Sequence, residues 1–292
     1  MRSTNMESEK ITKALQGAEE GGISNLLALR GDPPKGEEKW EATEGGFTCA
    51  LDLVRHIKKT CGDKFGLSVA GYPEGHPNVI KKVCTRASCS WVRDGGVICA
   101  TPCLCLVGVG QVEDPSTMSE AERGRSVEME DGTYVCSDAD FANELAYLKQ
   151  KVDAGAEFIV TQVRHRRHAR ARGPGHVLTC PLPACCLVLA QMFFEVSVFN
   201  AFVSACREVG IACPIIPGIM LVQNAGGFSR MTAFCKSRVP AELKAQVEGA
   251  ANAKAVRAVG IAWATKMCKE LVEVAKVPGL HFYTLNLEAV RR

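Results

Sequence analysis

The stretch Asn25-Leu26-Leu27-Ala28-Leu29-Arg30-Gly31-Asp32-Pro33-Pro34 is an apolar run that breaks abruptly into Arg-Gly-Asp and two prolines. A short apolar run closed by turn formers reads as a buried strand. The charged tip then sits at the strand's C-terminal end, where parallel α/β proteins collect their functional groups. Arg30 can bind an anionic group, Gly31 lets backbone approach a ligand closely, and Asp32 supplies a fixed negative charge. Taken alone, the same residues also describe a strand followed by a charged surface turn.

Outward from this stretch, helical and strand patterns alternate. Residues 5–22 read as a helix, with Asn5 or Ser8 as cap, Ile11, Leu15 and Ala18 at helical spacing, and Gly21-Gly22 as the stop. Phe47, Leu51, Val54 and Cys61 line one face of the next helix, and residues 67–71 form the next strand. Residues 137–152 predict a strong helix: Ser137 and Asp140 make a start like a capping box, Phe141, Leu145, Leu148 and Val152 form its apolar stripe, and Gly155 stops it. Glu144, Tyr147 and Lys151 form a neighbouring polar stripe, which by itself puts Lys151 on an exposed face. Further strands are expected at 158–161, 213–216 and 280–285. Helices are expected at 199–209, at 228–237, from Pro240 onward and through Val256, Val259, Trp263, Met267 and Leu271. This alternation, with strands entering as short apolar runs, argues for a parallel α/β fold.

The chain has 292 residues, 47% of them apolar, and a net charge of +3. The excess of positive charge is local. Five arginines and no acid lie in 163–172, and the chain outside 83–111 and 163–191 is acidic on balance, so no nucleic-acid partner is inferred. Residues 1–10 are polar and carry no signal-like apolar core, and the longest apolar stretches are too short and too broken by proline to span a bilayer. Neither a membrane nor export is expected, which leaves the cytoplasm and reduced cysteines.

Segments 83–111 and 163–191 stand apart. Each is 29 residues long, begins with Val and ends with Gln. An intron running from GT to CAG and read in frame would do the same, so both are read as translated introns and expected to be unstructured. Eight of the fifteen cysteines lie inside them, without the paired spacing of a zinc ribbon, and no metal site is expected.

Five motifs recur in order: Leu29-Arg30-Gly31-Asp32-Pro33, Ala70-Gly71-Tyr72-Pro73-Glu74-Gly75-His76-Pro77, the run from Lys151 to Gln162, Ile215-Ile216-Pro217-Gly218-Ile219, and His281-Phe282-Tyr283-Thr284-Leu285-Asn286. In that order they closely resemble the methylenetetrahydrofolate reductase family. The resemblance implies a (β/α)8 TIM barrel, here incomplete and covering about strands four to eight across residues 1–292. It implies FAD as cofactor, NADPH or NADH as co-substrate, and reduction of 5,10-methylenetetrahydrofolate to 5-methyltetrahydrofolate.

By the same resemblance Arg30, Gly31, Asp32, Ala50, Tyr72 and His76 contact the flavin, and Glu144, Tyr147, Gln150 and Lys151 lie on the flavin-binding helix, only Lys151 matching in type. Asp32, Gln162 and Tyr283 face the folate, with Asp32 and Gln162 as the catalytic pair. Two positions depart from the pattern, Leu221 and Leu287, and no Phe-Phe-Pro-Pro stretch carrying the family's general-acid glutamate occurs in this sequence. Besides the folate, a homo-oligomer is compatible with the resemblance. The alternative is a non-catalytic flavin- or folate-binding fragment, or a partner subunit of a full-length reductase.

Overall fold

Five short parallel segments carry the architecture, the fourth broken at Pro217 into two strands. The computed structural model describes residues 1, 6–30, 45–83, 92–93, 96–97, 115–161 and 193–283. Strands β1 (Asn25–Ala28), β2 (Gly66–Gly71), β8 (Phe158–Thr161) and β9 (Ile215–Ile216) form a parallel sheet in that order. The registers pair Ala28 with Val69, Gly71 with Thr161 and Val160 with Ile216. After Pro217, β10 (Gly218–Met220) pairs in parallel with β11 (His281–Tyr283). Proline has no N–H to give to a ladder, so the strand breaks there. The break is bridged on both sides: the Gly218 N–H bonds Thr161 Oγ1 at 2.9 Å, and the His281 N–H bonds the Pro217 carbonyl at 3.0 Å. The spatial order of the parallel segments is therefore the chain order. β2 and β8 are buried along nearly their whole length, as strands covered on both faces must be.

The helices connect and cover the strands. They are α1 (Ser8–Glu20), α2 (Ala50–Cys61), α4 (Asp138–Asp153), α5 (Val196–Glu208), α6 (Ala225–Cys235), α7 (Ala241–Glu248) and α8 (Ala253–Glu273). One core joins Ile11 and Leu15 of α1, Leu53 and Ile57 of α2, Leu145 and Leu148 of α4, Phe199 and Phe202 of α5 and Leu271 of α8 around Leu67, Val69 and Ile159 of the sheet. A second cluster, with Phe194, Phe228, Leu243 and Val256, closes α6, α7 and α8.

Three local expectations are corrected. The first helix starts at Ser8 with Glu7 as cap residue and no capping side chain, so Ser8 is not its cap; Asn5 lies outside the described residues. Helix α6 begins three residues before Phe228, because the Asn224 side chain accepts the Gly227 N–H. Pro240 is the cap residue of α7 and not its first helical residue.

A three-stranded antiparallel sheet was not foreseen. It consists of β3 (Ile80–Lys82), β7 (Gly132–Cys136) and β6 (Val127–Met129), in the order β3-β7-β6. The short α3 (Glu120–Arg125) leads into it through a capping box between Ser119 and Glu122. Glu122 serves two helices: Oε2 accepts the Ser119 N–H at 3.0 Å, and Oε1 accepts the Asp138 N–H at 2.9 Å at the start of α4. Lys81 of β3 pairs with Asp140 of α4 at 2.9 Å. The antiparallel sheet thus fixes where α4 begins.

Segment 163–191 and most of 83–111 lie outside the described residues. Within 83–111, β4 (Val92–Arg93) and β5 (Gly96–Val97) pair antiparallel. Among the described residues no helix is long and apolar enough to cross a membrane, and no group of three or more His, Cys, Asp or Glu could hold a metal ion.

Candidate functional site

The C-terminal ends of β1 and β2 and the inner face of α4 meet in one place. Ser137 sets the start of α4 by accepting the Asp140 N–H at 3.1 Å, without the reciprocal bond of a full capping box. Phe141, Leu145 and Leu148 bury the helix, and Lys151 then reaches beneath it. Lys151 is 4% exposed, not on an open face as its stripe suggests. Its Nζ donates to the Ala70 carbonyl at 3.1 Å, at the end of β2, and lies 4.7 Å from the centre of the Tyr147 ring. Burial drives the Lys151 pKa down to about 8, against the opposing pull of Glu144 and Cys49. Burial also raises the Glu144 pKa, partly offset by Lys151. For both groups loss of water outweighs their mutual attraction.

Tyr147 ties α4 to α2. Burial and a hydrogen bond with Cys49 raise its pKa, while a backbone bond from Leu51 lowers it. Its hydroxyl therefore lies against the first turn of α2, where Ala50 is the first helical residue and half-buried. Gln150 is exposed and stands beside the stripe.

The loop after β2 supplies Tyr72 and His76. Their rings meet edge to face at 4.8 Å. The loop closes through the Gly75 N–H on the Tyr72 carbonyl at 3.1 Å. Gly75 has φ +95°, and a Cβ there would lie 2.6 Å from Cys136 Sγ, so only glycine fits. His76 Nδ1 accepts the Asn78 N–H at 3.2 Å. Burial, then the charges of Arg30 and Lys151, lower its pKa to about 4. The imidazole is neutral at pH 7, with its proton on Nε2. The same effect places the Arg30 guanidinium, at the end of β1, close enough for its charge to act on His76. A hollow of about 10 Å³, room for one water, lies between Ala70, Tyr72, Glu144, Lys151 and Phe202.

Tyr283 lies apart from this group, on β11. It is 9% exposed, its hydroxyl donates to the Thr161 carbonyl at 3.2 Å, and its ring packs beside Val160. Gln162, Gly31 and Asp32 lie outside the described residues. Thr161, the residue before Gln162, passed unnoticed in the sequence. It is fully buried and bonds both β10 and β11. The glycine of the Pro217-Gly218 pair was the available signal, since a Cβ on Gly218 would lie 2.5 Å from the Tyr283 ring and 2.6 Å from the Thr161 carbonyl.

The family model described as methylenetetrahydrofolate reductase matches residues 1–92 and 185–292. The chain belongs to the methylenetetrahydrofolate reductase family. It is 40% identical over 286 residues to "Methylenetetrahydrofolate reductase (NADH) 1" of Arabidopsis thaliana, covering 98% of this chain and 35% of that protein. The "Probable methylenetetrahydrofolate reductase (NADH)" of Oryza sativa subsp. japonica is also 40% identical, with the same two coverages. "Methylenetetrahydrofolate reductase 2" of Saccharomyces cerevisiae is 30% identical, covering 98% of this chain and 33% of that protein. The chain thus spans about a third of the length of the curated reductases it matches. Among solved structures, a Clostridium thermocellum protein described as binding two copies of 5-methyl-5,6,7,8-tetrahydrofolic acid aligns at TM-score 0.45 and 8% identity, over 99% of this chain and 67% of its own, a likeness too weak to carry an argument.

Proposed function

We propose that this chain is part of the catalytic barrel of a flavin-dependent reductase that converts 5,10-methylenetetrahydrofolate to 5-methyltetrahydrofolate. Its five parallel segments in chain order correspond to strands four to eight of the family's (β/α)8 barrel, which is incomplete over these residues. The observation that carries the reading is the meeting of Arg30, Tyr72, His76, Tyr147 and Lys151 at the C-terminal ends of β1 and β2.

These residues fit FAD. Two cations, Arg30 and Lys151, suit a diphosphate, and an uncharged His76 beside Tyr72 adds no further positive charge. The hollow behind them is far too small for a flavin and belongs to the wall of the site. When bound, FAD would supply the hydride transfer. Lys151 would hold the end of β2 and contribute its charge, and Tyr147 would fix α4 against Ala50. Asp32 would stabilise positive charge developing on the folate, and Gln162 would orient it, with Tyr283 beside it. Because the relatives at 40% identity carry NADH in their names, NADH is the donor we propose.

The test is to express the 292-residue chain, record its flavin spectrum, and follow NADH oxidation with and without the folate. Folded protein that carries FAD and oxidises NADH supports the reading. FAD binding without turnover would favour the non-catalytic flavin-binding alternative, and a folded protein that takes up no FAD would sink the flavin assignment.

A further inference from the structure

The Tyr72–His76 loop carries a buried acid that the proposed chemistry does not use. Glu74 lies between the two aromatic residues, yet it is 3% exposed and points into the protein. Its Oε1 accepts the backbone N–H of Arg238 at 2.8 Å, from the connection between α6 and α7. Arg238 in turn spreads over two other segments. Its Nε pairs with Glu195 at the start of α5 at 3.2 Å, and its Nη1 donates to the Gly124 carbonyl of α3 at 3.2 Å. Two residues earlier, Lys236 sits in the left-handed region with φ 50°, donates from Nζ to the Ile80 carbonyl at 2.5 Å, and covers the Tyr134 ring at 4.6 Å. One connection of five residues therefore grips the loop at Glu74 and the strand that follows the loop at Ile80.

We infer that Glu74 and Arg238 are positioning residues: they clasp the loop from behind so that Tyr72 and His76 face the ends of β1 and β2. The cofactor consequence rests on the flavin reading above; the clasp itself does not. A loop held only by its own turn would sample many conformations, and each would have to be frozen when a ligand binds. A single buried acceptor on an otherwise orphaned backbone N–H removes that freedom. The charged groups around Glu74 are Arg238 and Glu195, and Cys235 lies close enough to feel its charge. Burial outweighs the arginine, so Glu74 acts chiefly as a neutral acceptor at pH 7. Glutamine should replace it, and alanine should not.

The experiment is hydrogen–deuterium exchange and FAD titration on the full chain for wild type, Glu74→Gln, Glu74→Ala and Arg238→Ala. Glu74→Ala should speed exchange by roughly tenfold in both 71–79 and 236–240, leave α8 unchanged, and weaken FAD binding by about the same factor. Glu74→Gln should stay close to wild type in both. Arg238→Ala keeps the backbone N–H but loses the Glu195 and Gly124 contacts, so it should loosen 71–79 by a smaller factor. Unchanged exchange in 71–79 in Glu74→Ala overturns the clasp, even if FAD binds. If Glu74→Ala unfolds throughout, Arg238→Ala decides, and tight exchange in its 71–79 segment overturns the clasp. If wild type takes up no FAD but the two segments loosen together, the flavin reading fails and the clasp stands.

Discussion

Lys151 is where a single residue departs furthest from its local pattern. Its helix stripe is polar, but the four-carbon stem passes under α4 and delivers the ammonium to the Ala70 carbonyl. Burying that charge is costly, and the lowered pKa records the cost. Replacing it by methionine keeps the stem's volume and removes the charge. One hydrogen bond to Ala70 is lost, about 0.5–1.5 kcal/mol, but relief of the buried charge offsets it. Lys151→Met should therefore melt within a few degrees of wild type and yet bind FAD at least roughly tenfold more weakly, since a charge-assisted contact disappears. Thermal melts followed by flavin titration check this. A variant that binds FAD like wild type would remove Lys151 from the cofactor contacts.

At the scale of elements, the joint between β8, β10 and β11 is the feature to probe. Pro217 interrupts the ladder, and Thr161 repairs it by offering Oγ1 to Gly218 while its carbonyl receives the Tyr283 hydroxyl. Thr161→Val has nearly the same shape but strands the buried Gly218 N–H, which should lower stability by about 1–3 kcal/mol. Thr161→Ser keeps the hydroxyl and should lose less. Urea unfolding of the pair measures the difference; equal midpoints would mean that the Gly218 bond contributes nothing.

What was legible at this scale has a common cause. Apolar runs and helical stripes are local, so β1, β2, β8, β9 and β11 and the Ser137 start of α4 could be read from neighbours in sequence, whereas β10, beyond Pro217, was not expected as a strand. The β3-β7-β6 sheet could not. Ile80-Lys81-Lys82 has one buried residue, and its pairing with Tyr134, Val135 and Cys136 reaches across a long stretch of chain. The burial of Lys151 and the grip of Arg238 on Glu74 are equally non-local, which is why the motif residues were found and their supports were missed. Tyr72 and His76 were legible as a motif, whereas their orientation depends on Arg238, far along the chain.

At the scale of the whole molecule, three buried groups give stability an unusual pH profile. The Glu74 pKa rises from 4.5 to about 8 on folding, the His76 pKa falls from 6.5 to about 4, and that of Lys151 falls from 10.5 to about 8. Between pH 4.5 and 6.5 the unfolded chain releases the Glu74 proton that the folded chain keeps, so stability falls as pH rises. Over the same interval the unfolded chain binds a proton at His76 that the folded chain refuses, so stability rises with pH. The two effects oppose each other there. Of the three, only Glu74 still acts from pH 6.5 to about 8, where its contribution should fall by up to about 1.4 kcal/mol per pH unit. Above about 8 the folded chain has given up the Lys151 proton while the unfolded chain holds it up to 10.5, so the Lys151 contribution climbs, until the buried thiols of Cys136, Cys206 and Cys235, pushed up to about 12, oppose it above pH 9. The contribution of Glu74, His76 and Lys151 is therefore least near pH 8. Glu74→Gln removes the falling limb, leaving the rise from about pH 4 to 6.5 exposed and the interval up to 8 flat. Urea midpoints for wild type and Glu74→Gln across this range read the difference directly. Parallel curves would mean that Glu74 is ionised in the folded protein, with its charge balanced by Arg238 after all.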